Sequence, residues 1–228
     1  MKAMILCAGY GKRLNPLTLK HPKPLLEMGK ETLLSNTLKF LKQCKINEVV
    51  INVHYLGDQI INYINENKFN LKINIVREKE KILDTGGGVL NAIKHFQEPF
   101  LIINPDTIWN QNYLTELELM QETFQTNKKI KCLMLLAEKE KSFDKSFKGD
   151  FNLENNLINK KHKNDLKYIY TGMQIIQPEL FYKIKTTVFS INEIWNDLIK
   201  KNELYGMGSN IKFLHISTLD IYKKLNIK

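Results

Sequence analysis

The 228-residue sequence predicts an α/β fold with a mainly parallel sheet and helices on both faces. Three observations carry that expectation. Short apolar runs alternate with segments whose apolar residues recur at helical spacing. The first run ends in glycines, as a strand does where it opens into a ligand-facing turn. No stretch approaches the roughly 20 apolar residues of a membrane span, and the composition, 43% hydrophobic and 25% charged, is that of an ordinary globular chain.

The elements follow in order. Residues 3–7 are apolar and stop at Gly9, which reads as a buried strand. That run is too short for a signal peptide, and it implies a cytoplasmic protein. In 31–44, Leu33, Leu34, Thr37, Leu38 and Leu41 share one helical face. Residues 48–53 (EVVINV) form a second buried strand, 58–67 a helix through Ile60, Ile61 and Ile64, and 71–76 (LKINIV) an alternating strand. A glycine triplet opens a helix over 87–96, and 100–104 (FLIIN) is a buried strand leading to Asp106. A helix over 113–126 and a strand over 131–137 (KCLMLLA) complete this half. From about residue 142 the pattern turns to short antiparallel strands, with helices near 179–183 and 191–201, a last strand at 212–216 and a terminal helix at 218–225. With no second core visible, 1–228 reads as a single domain: a core of about 1–141 and a segment of about 142–228 that closes over the carboxyl ends of the strands.

The formal net charge of +10 does not read as a nucleic-acid surface. Arg13 and Arg77 are the only arginines, and the lysines are scattered among Asn and Ile without interleaved aromatics. A basic surface also suits small anionic substrates. Cys7, Cys44 and Cys132 are far apart and lack metal-ligand spacing, as in a reducing compartment.

The densest chemistry lies in residues 5–30, ILCAGYGKRLNPLTLKHPKPLLEMGK. Behind the first strand come Gly9 and Gly11, whose backbone N–H groups can approach phosphate oxygens with no Cβ in the way. Arg13 offers a planar fork to phosphates. Lys23 lies between Pro22 and Pro24, which restrict the backbone and so aim its ammonium. A lone G-x-G is as well explained by a tight turn, but here neither the third glycine of a dinucleotide fingerprint nor a Walker A loop is present. Asp106 stands just past an apolar strand, where a carboxylate is either solvated or held by a cation.

The block G-x-G-x-R-x-x-P-x-T followed by P-K-P resembles the signature of the nucleotidyltransferases that activate sugar phosphates. LDTGGGVLNA (83–92), FLIINPDTIW (100–109), KGDFNL (148–153) and YTGMQIIQPELF (170–181) resemble further segments of that family in the same order, so the likeness spans nearly the whole chain. The resemblance implies a Rossmann-like, GT-A-like sheet with a small antiparallel sugar-binding subdomain and no C-terminal β-helix. It implies a reaction between an NTP and a sugar 1-phosphate that yields an NDP-sugar and pyrophosphate with Mg²⁺ as cofactor. Its short members, which take UTP and N-acetylmuramate 1-phosphate in cell-wall recycling, match best in length and motif. A mannose-1-phosphate guanylyltransferase is the alternative, and a catalytically silent sugar-nucleotide-binding protein the non-enzymatic one. No nucleic-acid or membrane partner is implied, and the assembly would be a monomer or small homo-oligomer.

Carried over by motif, Arg13 and Lys23 would be catalytic and Asp106 the metal ligand. Ala8, Gly9, Gly11, Thr85, Gly86 and Gly87 would bind the nucleotide, the last two as an open backbone wall for base or ribose; a plain helix N-terminus capped by Asp84 or Thr85 explains the same glycines. Asn104, Gly149, Asp150, Thr171, Gly172 and Asn192 would border the sugar phosphate, with Glu193 beside them. Two departures stand out. Pro105 replaces a glycine before Asp106, and FLHIST puts His215 where the family carries a second metal-binding Asp. A neutral imidazole is a poor ligand for Mg²⁺, so His215 is expected to be no metal ligand.

Overall fold

The computed structural model describes residues 1–162 and 164–226. The strands are β1 (Ala3–Leu6), β2 (Glu27–Met28), β3 (Glu31–Thr32), β4 (Glu48–Val53), β5 (Lys72–Arg77), β6 (Phe100–Ile103), β7 (Cys132–Glu138), β8 (Asn152–Glu154), β9 (Leu157–Asn159), β10 (Tyr168–Ile176) and β11 (Leu204–Ser209). The helices are α1 (Leu33–Gln43), α2 (Gly57–Glu66), α3 (Asp84–Ala92), α4 (Asn112–Thr126), α5 (Asn192–Lys200) and α6 (Leu219–Asn226). Nine strands form one mixed sheet in the order β5-β4-β1-β6-β10-β7-β11-β9-β8, while β2 and β3 make a separate hairpin. The run β5-β4-β1-β6 is parallel, β10 is antiparallel to both neighbours, and β11 returns parallel to β7.

Alternation within the strands sorts the core into two layers. Ala3, Ile5, Val49, Ile51, Leu101, Ile103, Leu133 and Leu135 face Leu38 and Leu41 of α1, Ile60 of α2 and Leu117, Met120 and Phe124 of α4. Met4, Val50, Ile102, Met134, Leu136 and Ile176 face Val89 and Ala92 of α3 and Ile194, Trp195 and Leu198 of α5. A helix starts at α1 because the Thr32 hydroxyl accepts the Ser35 N–H, and its buried stripe is the Leu33–Leu41 face. Among the described residues, no helix is long and apolar enough to cross a membrane.

Three features depart from the sequence reading. β11 is unforeseen, because LYGMGS carries two glycines and little alternation. The expected strand at 212–216 is only a pair of isolated bridges, Ser142 to Phe213 and Thr107 to His215. Most consequentially, the segment after residue 142 does not form a layer of its own: β10 sits between β6 and β7, and the two neighbours of β7 are β10 and β11. Only the β8–β9 hairpin lies outboard, at the sheet's far edge. Residue 163 and the last two residues of that segment lie outside the described residues.

Candidate active site

A cavity of about 420 Å³ opens at the carboxyl ends of β1, β4 and β6. Of the residues singled out in the sequence, Ala8, Gly9, Gly11, Arg13, Lys23, Thr85, Asn104 and Asp106 line it. Gly11 adopts φ +64°, and a Cβ there would press Thr18 at 3.0 Å and Lys23 at 3.1 Å, so the turn brings Lys23 close only because Gly11 is bare. Thr18 fixes the loop: its hydroxyl donates to the Gly11 carbonyl at 3.0 Å, and its own carbonyl accepts Tyr55 Oη at 2.9 Å. Nothing approaches within 4 Å of a Cβ built on Gly9, which leaves that backbone open. Arg13 is exposed on a one-turn 3₁₀ helix over Lys12–Leu14, with no ion pair among the described residues.

Lys23 Nζ lies 2.5 Å from Asp106 Oδ2, and His215 Nε2 lies 3.2 Å from the same oxygen. Burial alone would push the Asp106 carboxyl up, but the Lys23 charge and the His215 ring outweigh it and hold the group well below the usual carboxylate range. The other oxygen, Asp106 Oδ1, is buried without a hydrogen-bond partner among the described residues. His215 is kept in place by the chain around it. Ile108 N–H donates to the Leu214 carbonyl, Ile216 N–H to the Asp106 carbonyl, and the ring stacks on Phe213 at 5.7 Å. Behind it, buried Asp144 accepts hydrogen bonds from Ser217 Oγ and from Ser146. Those bonds overcome the effect of burial and lower its pKa.

A single unpartnered hard oxygen is compatible with Mg²⁺, which takes few protein ligands and fills its shell with water and phosphate. Among the described residues, no group of three or more His, Cys, Asp or Glu is arranged to hold a metal. The protein side of such a site would therefore be Asp106 Oδ1, while the His215 ring faces the opposite oxygen.

Several expectations need correction. Gly86 and Gly87 are buried away from the cavity: a Cβ on Gly86 would fall 2.3 Å from the Phe189 ring, and one on Gly87 2.1 Å from the Thr187 carbonyl oxygen. Both N–H groups donate to the Phe189 carbonyl at 3.0 Å, so these glycines serve a close approach of the 187–189 segment to α3 and not an open wall. Nor do Asp84 and Thr85 cap the helix in the expected way. Thr85 Oγ1 accepts the Ile191 N–H, while the Leu83 N–H donates to Glu78. Asp84 itself takes up φ +62° and accepts the Thr85 N–H.

On the sugar side, Gly149, Asp150, Thr171, Gly172 and Asn192 stand outside this cavity. The Thr171 hydroxyl is occupied by the Leu135 carbonyl at 2.8 Å, and Asp150 accepts the Tyr170 N–H at 2.9 Å. Gly149, at φ +87°, makes room for the Leu166 carbonyl. Asn192 is exposed and bonded to Ser190, with Glu193 exposed beside it on α5. Gly172 acts indirectly: its carbonyl accepts the Asn104 N–H at 2.8 Å, and its bare Cα lets Asn104 reach the cavity wall. Sequence reading missed Asn52, Ile82 and Ser217 in the lining. A polar residue next to the end of the apolar run EVVINV was the available signal for Asn52.

Residues 2–144 match the nucleotidyl transferase family. The chain belongs to that family. It is 27% identical over 220 residues to the N-acetylmuramate alpha-1-phosphate uridylyltransferase of Caulobacter vibrioides, covering 94% of this chain and 90% of that one. It is 29% identical over 213 residues to the mannose-1-phosphate guanylyltransferase catalytic subunit beta of Danio rerio, covering 91% of this chain and 58% of that one. Among solved structures, a putative glucose-1-phosphate thymidylyltransferase from Bacillus anthracis superimposes with a TM-score of 0.79 at 22% identity, over 99% of this chain and 94% of that one. That likeness establishes the fold. The enzyme is a sugar-1-phosphate nucleotidyltransferase, of a family that binds nucleoside triphosphate and sugar phosphate substrates.

Proposed function

We propose that the enzyme transfers a uridylyl group from UTP to N-acetylmuramate 1-phosphate, releasing pyrophosphate, as a cytoplasmic step of cell-wall recycling. The observation that carries the transfer is the Lys23–Asp106 pair set against the glycine turn and Arg13 in one cavity. The choice of substrates is supported by the Caulobacter relative, which this chain spans almost end to end. In this reading the sugar phosphate oxygen attacks the α-phosphorus. A new O–P bond forms, the bond to the β-phosphate oxygen breaks, and pyrophosphate leaves with the electron pair. The nucleophile is already an anion, so no side chain has to remove a proton. The residues contribute position and charge. Gly9 and Gly11 present backbone N–H groups to the phosphates, and Arg13 holds the outgoing pyrophosphate. Lys23 steadies the α-phosphate and the incoming phosphate. Asp106 would hold Mg²⁺, which supplies charge neutralisation to the phosphates when bound. Residues 1–141 would carry most of the nucleotide contacts and 142–228 those to the sugar, with Asn104, Gly149, Asp150, Thr171, Gly172 and Asn192 bordering the sugar phosphate.

A second reading, guanylyl transfer to mannose 1-phosphate, is supported by the Danio relative. Pyrophosphate release from four triphosphates against N-acetylmuramate, mannose and glucose 1-phosphates separates the two. UTP with N-acetylmuramate 1-phosphate is expected to give the highest kcat/KM. GTP with mannose 1-phosphate in that place would overturn the assignment, and binding without turnover in every pair would mark a silent protein.

A further inference from the structure

Asn52 and Glu78 form a buried pair that the transfer reading does not use. Asn52 is 3% exposed near the end of β4, and Glu78, just past β5, is 2% exposed. Glu78 has no cation beside it among the described residues. Its oxygens accept Asn52 Nδ2 at 2.7 Å and the Leu83 N–H at 2.8 Å. Asn52 Oδ1 in turn accepts the Cys7 N–H at 3.0 Å. A carboxylate only accepts and a backbone N–H only donates, so this amide has one permitted orientation. Gly88 closes the pair from behind, since a Cβ there would lie 2.7 Å from Asn52 Nδ2 and 2.9 Å from Glu78 Oε1. An amide carries two N–H groups, and the hydrogen bonds of the described residues take one. The other belongs to a residue of the cavity lining.

Its place suits a base. β4 and β6 flank β1, so Asn52 stands two strand spacings, about 10 Å, from the strand that leads to Asp106. A triphosphate whose phosphates meet Arg13 and Lys23, and whose ribose crosses the end of β1, sets its base beside Asn52 and Ile82. We propose that the uncommitted N–H of Asn52, locked in orientation by Glu78 and the Cys7 N–H, selects bases with a carbonyl at C4 of a pyrimidine or C6 of a purine, uracil and guanine, over cytosine and adenine. This rests on the nucleotidyl-transfer reading. Uracil O4 and guanine O6 accept; cytosine and adenine carry an amino group at the same place and would set donor against donor. A free amide would escape by turning its oxygen forward, and Glu78 together with the Cys7 N–H forbids the turn. Asn52 is thus the specificity-determining group and Glu78 its positioning residue.

Calorimetric titration of the whole chain with UTP, GTP, CTP and ATP tests the proposal. The tighter-binding carbonyl nucleotide is expected to exceed both CTP and ATP by at least about tenfold, the cost of one buried unpaired donor. Exchanging its oxygen for sulfur, in 4-thio-UTP or 6-thio-GTP, should weaken binding several-fold. In Glu78→Gln the new amide can present a donor to Asn52, so only the Cys7 N–H still holds its orientation, and the carbonyl-over-amino ratio should fall. A merely structural role would weaken all four nucleotides alike and leave the ratio unchanged. Should Glu78→Gln fail to fold, the thio-nucleotides on the wild type still decide. CTP or ATP binding as tightly as UTP and GTP, or indifference to sulfur, overturns the inference. Pyrophosphate release is measured alongside: turnover without base discrimination defeats this inference alone, whereas no turnover with any sugar 1-phosphate defeats the reading beneath it.

Discussion

At the scale of single residues, the site is a contest over one carboxylate. Asp106 Oδ2 faces Lys23 and His215, and Oδ1 has no hydrogen-bond partner among the described residues. In the proposed transfer, Lys23 is the residue whose charge would shift from Asp106 to a phosphate as the transition state develops. Lys23→Ala should lower kcat by about 10²–10³, the loss typical of one preorganised charge contact. Retention of more than a tenth of wild-type kcat, a loss of only ~1.4 kcal/mol, in a variant whose circular dichroism is native would remove Lys23 from that role. The metal prediction follows from the other oxygen. With one free carboxylate oxygen, Mg²⁺ should bind the free protein weakly and the nucleotide complex at least tenfold tighter, by the rough standard of a site that borrows phosphate ligands. His215→Asp should tighten binding to the free protein, while His215→Ala should leave the titration nearly unchanged. Tight Mg²⁺ binding to the nucleotide-free wild type, lost in His215→Ala, would show that the imidazole is a ligand after all.

At the scale of elements, the glycine triplet shows what a motif can and cannot tell. Its presence at the start of a helix was legible, and so were the buried runs that became β1, β4, β6 and β7. What it faces was not, because the partner of Gly86 and Gly87 is a segment 100 residues later that carries no recognisable pattern: Thr187, Val188 and Phe189. The same distance problem hid β10, whose apolar run announced a strand but not that it would lie antiparallel between β6 and β7. Gly11, Arg13, Lys23 and Asp106 could be grouped in the sequence because the motifs that carry them resemble one family's signature, and the structure places all four in the lining of one cavity. Gly87→Ala makes the packing role measurable. Its Cβ would meet backbone rather than a movable side chain. The variant should lose about 1–3 kcal/mol, the range for forcing a methyl into a packed contact, seen as a lower Tm. Nucleotide affinity measured well below that Tm should change little. An unchanged Tm with sharply weakened nucleotide binding would instead restore Gly87 to the binding wall.

At the scale of the whole molecule, order along the chain and order across the sheet disagree, and that disagreement sets how the protein folds. Strands from the first 141 residues hold one end of the sheet, yet β7, the last of them, has no neighbour from its own half. Its partners β10 and β11 both come from the later segment, and β10 also supplies the second neighbour of β6. Cutting at residue 141 would leave the seven residues of β7, six of them buried, without a single ladder. Their N–H and carbonyl groups could not be paired inside a core. The two segments should therefore unfold together. The intact chain is expected to give one thermal transition with equal calorimetric and van't Hoff enthalpies, and a 1–141 fragment should lack a cooperative transition. The nucleotide should raise the single Tm as a whole, because the cavity floor and the 215–217 strip that borders it belong to one folding unit. Two resolved transitions, of which only the first moves with nucleotide, would show that the nucleotide core stands on its own and that β10 is an addition to it.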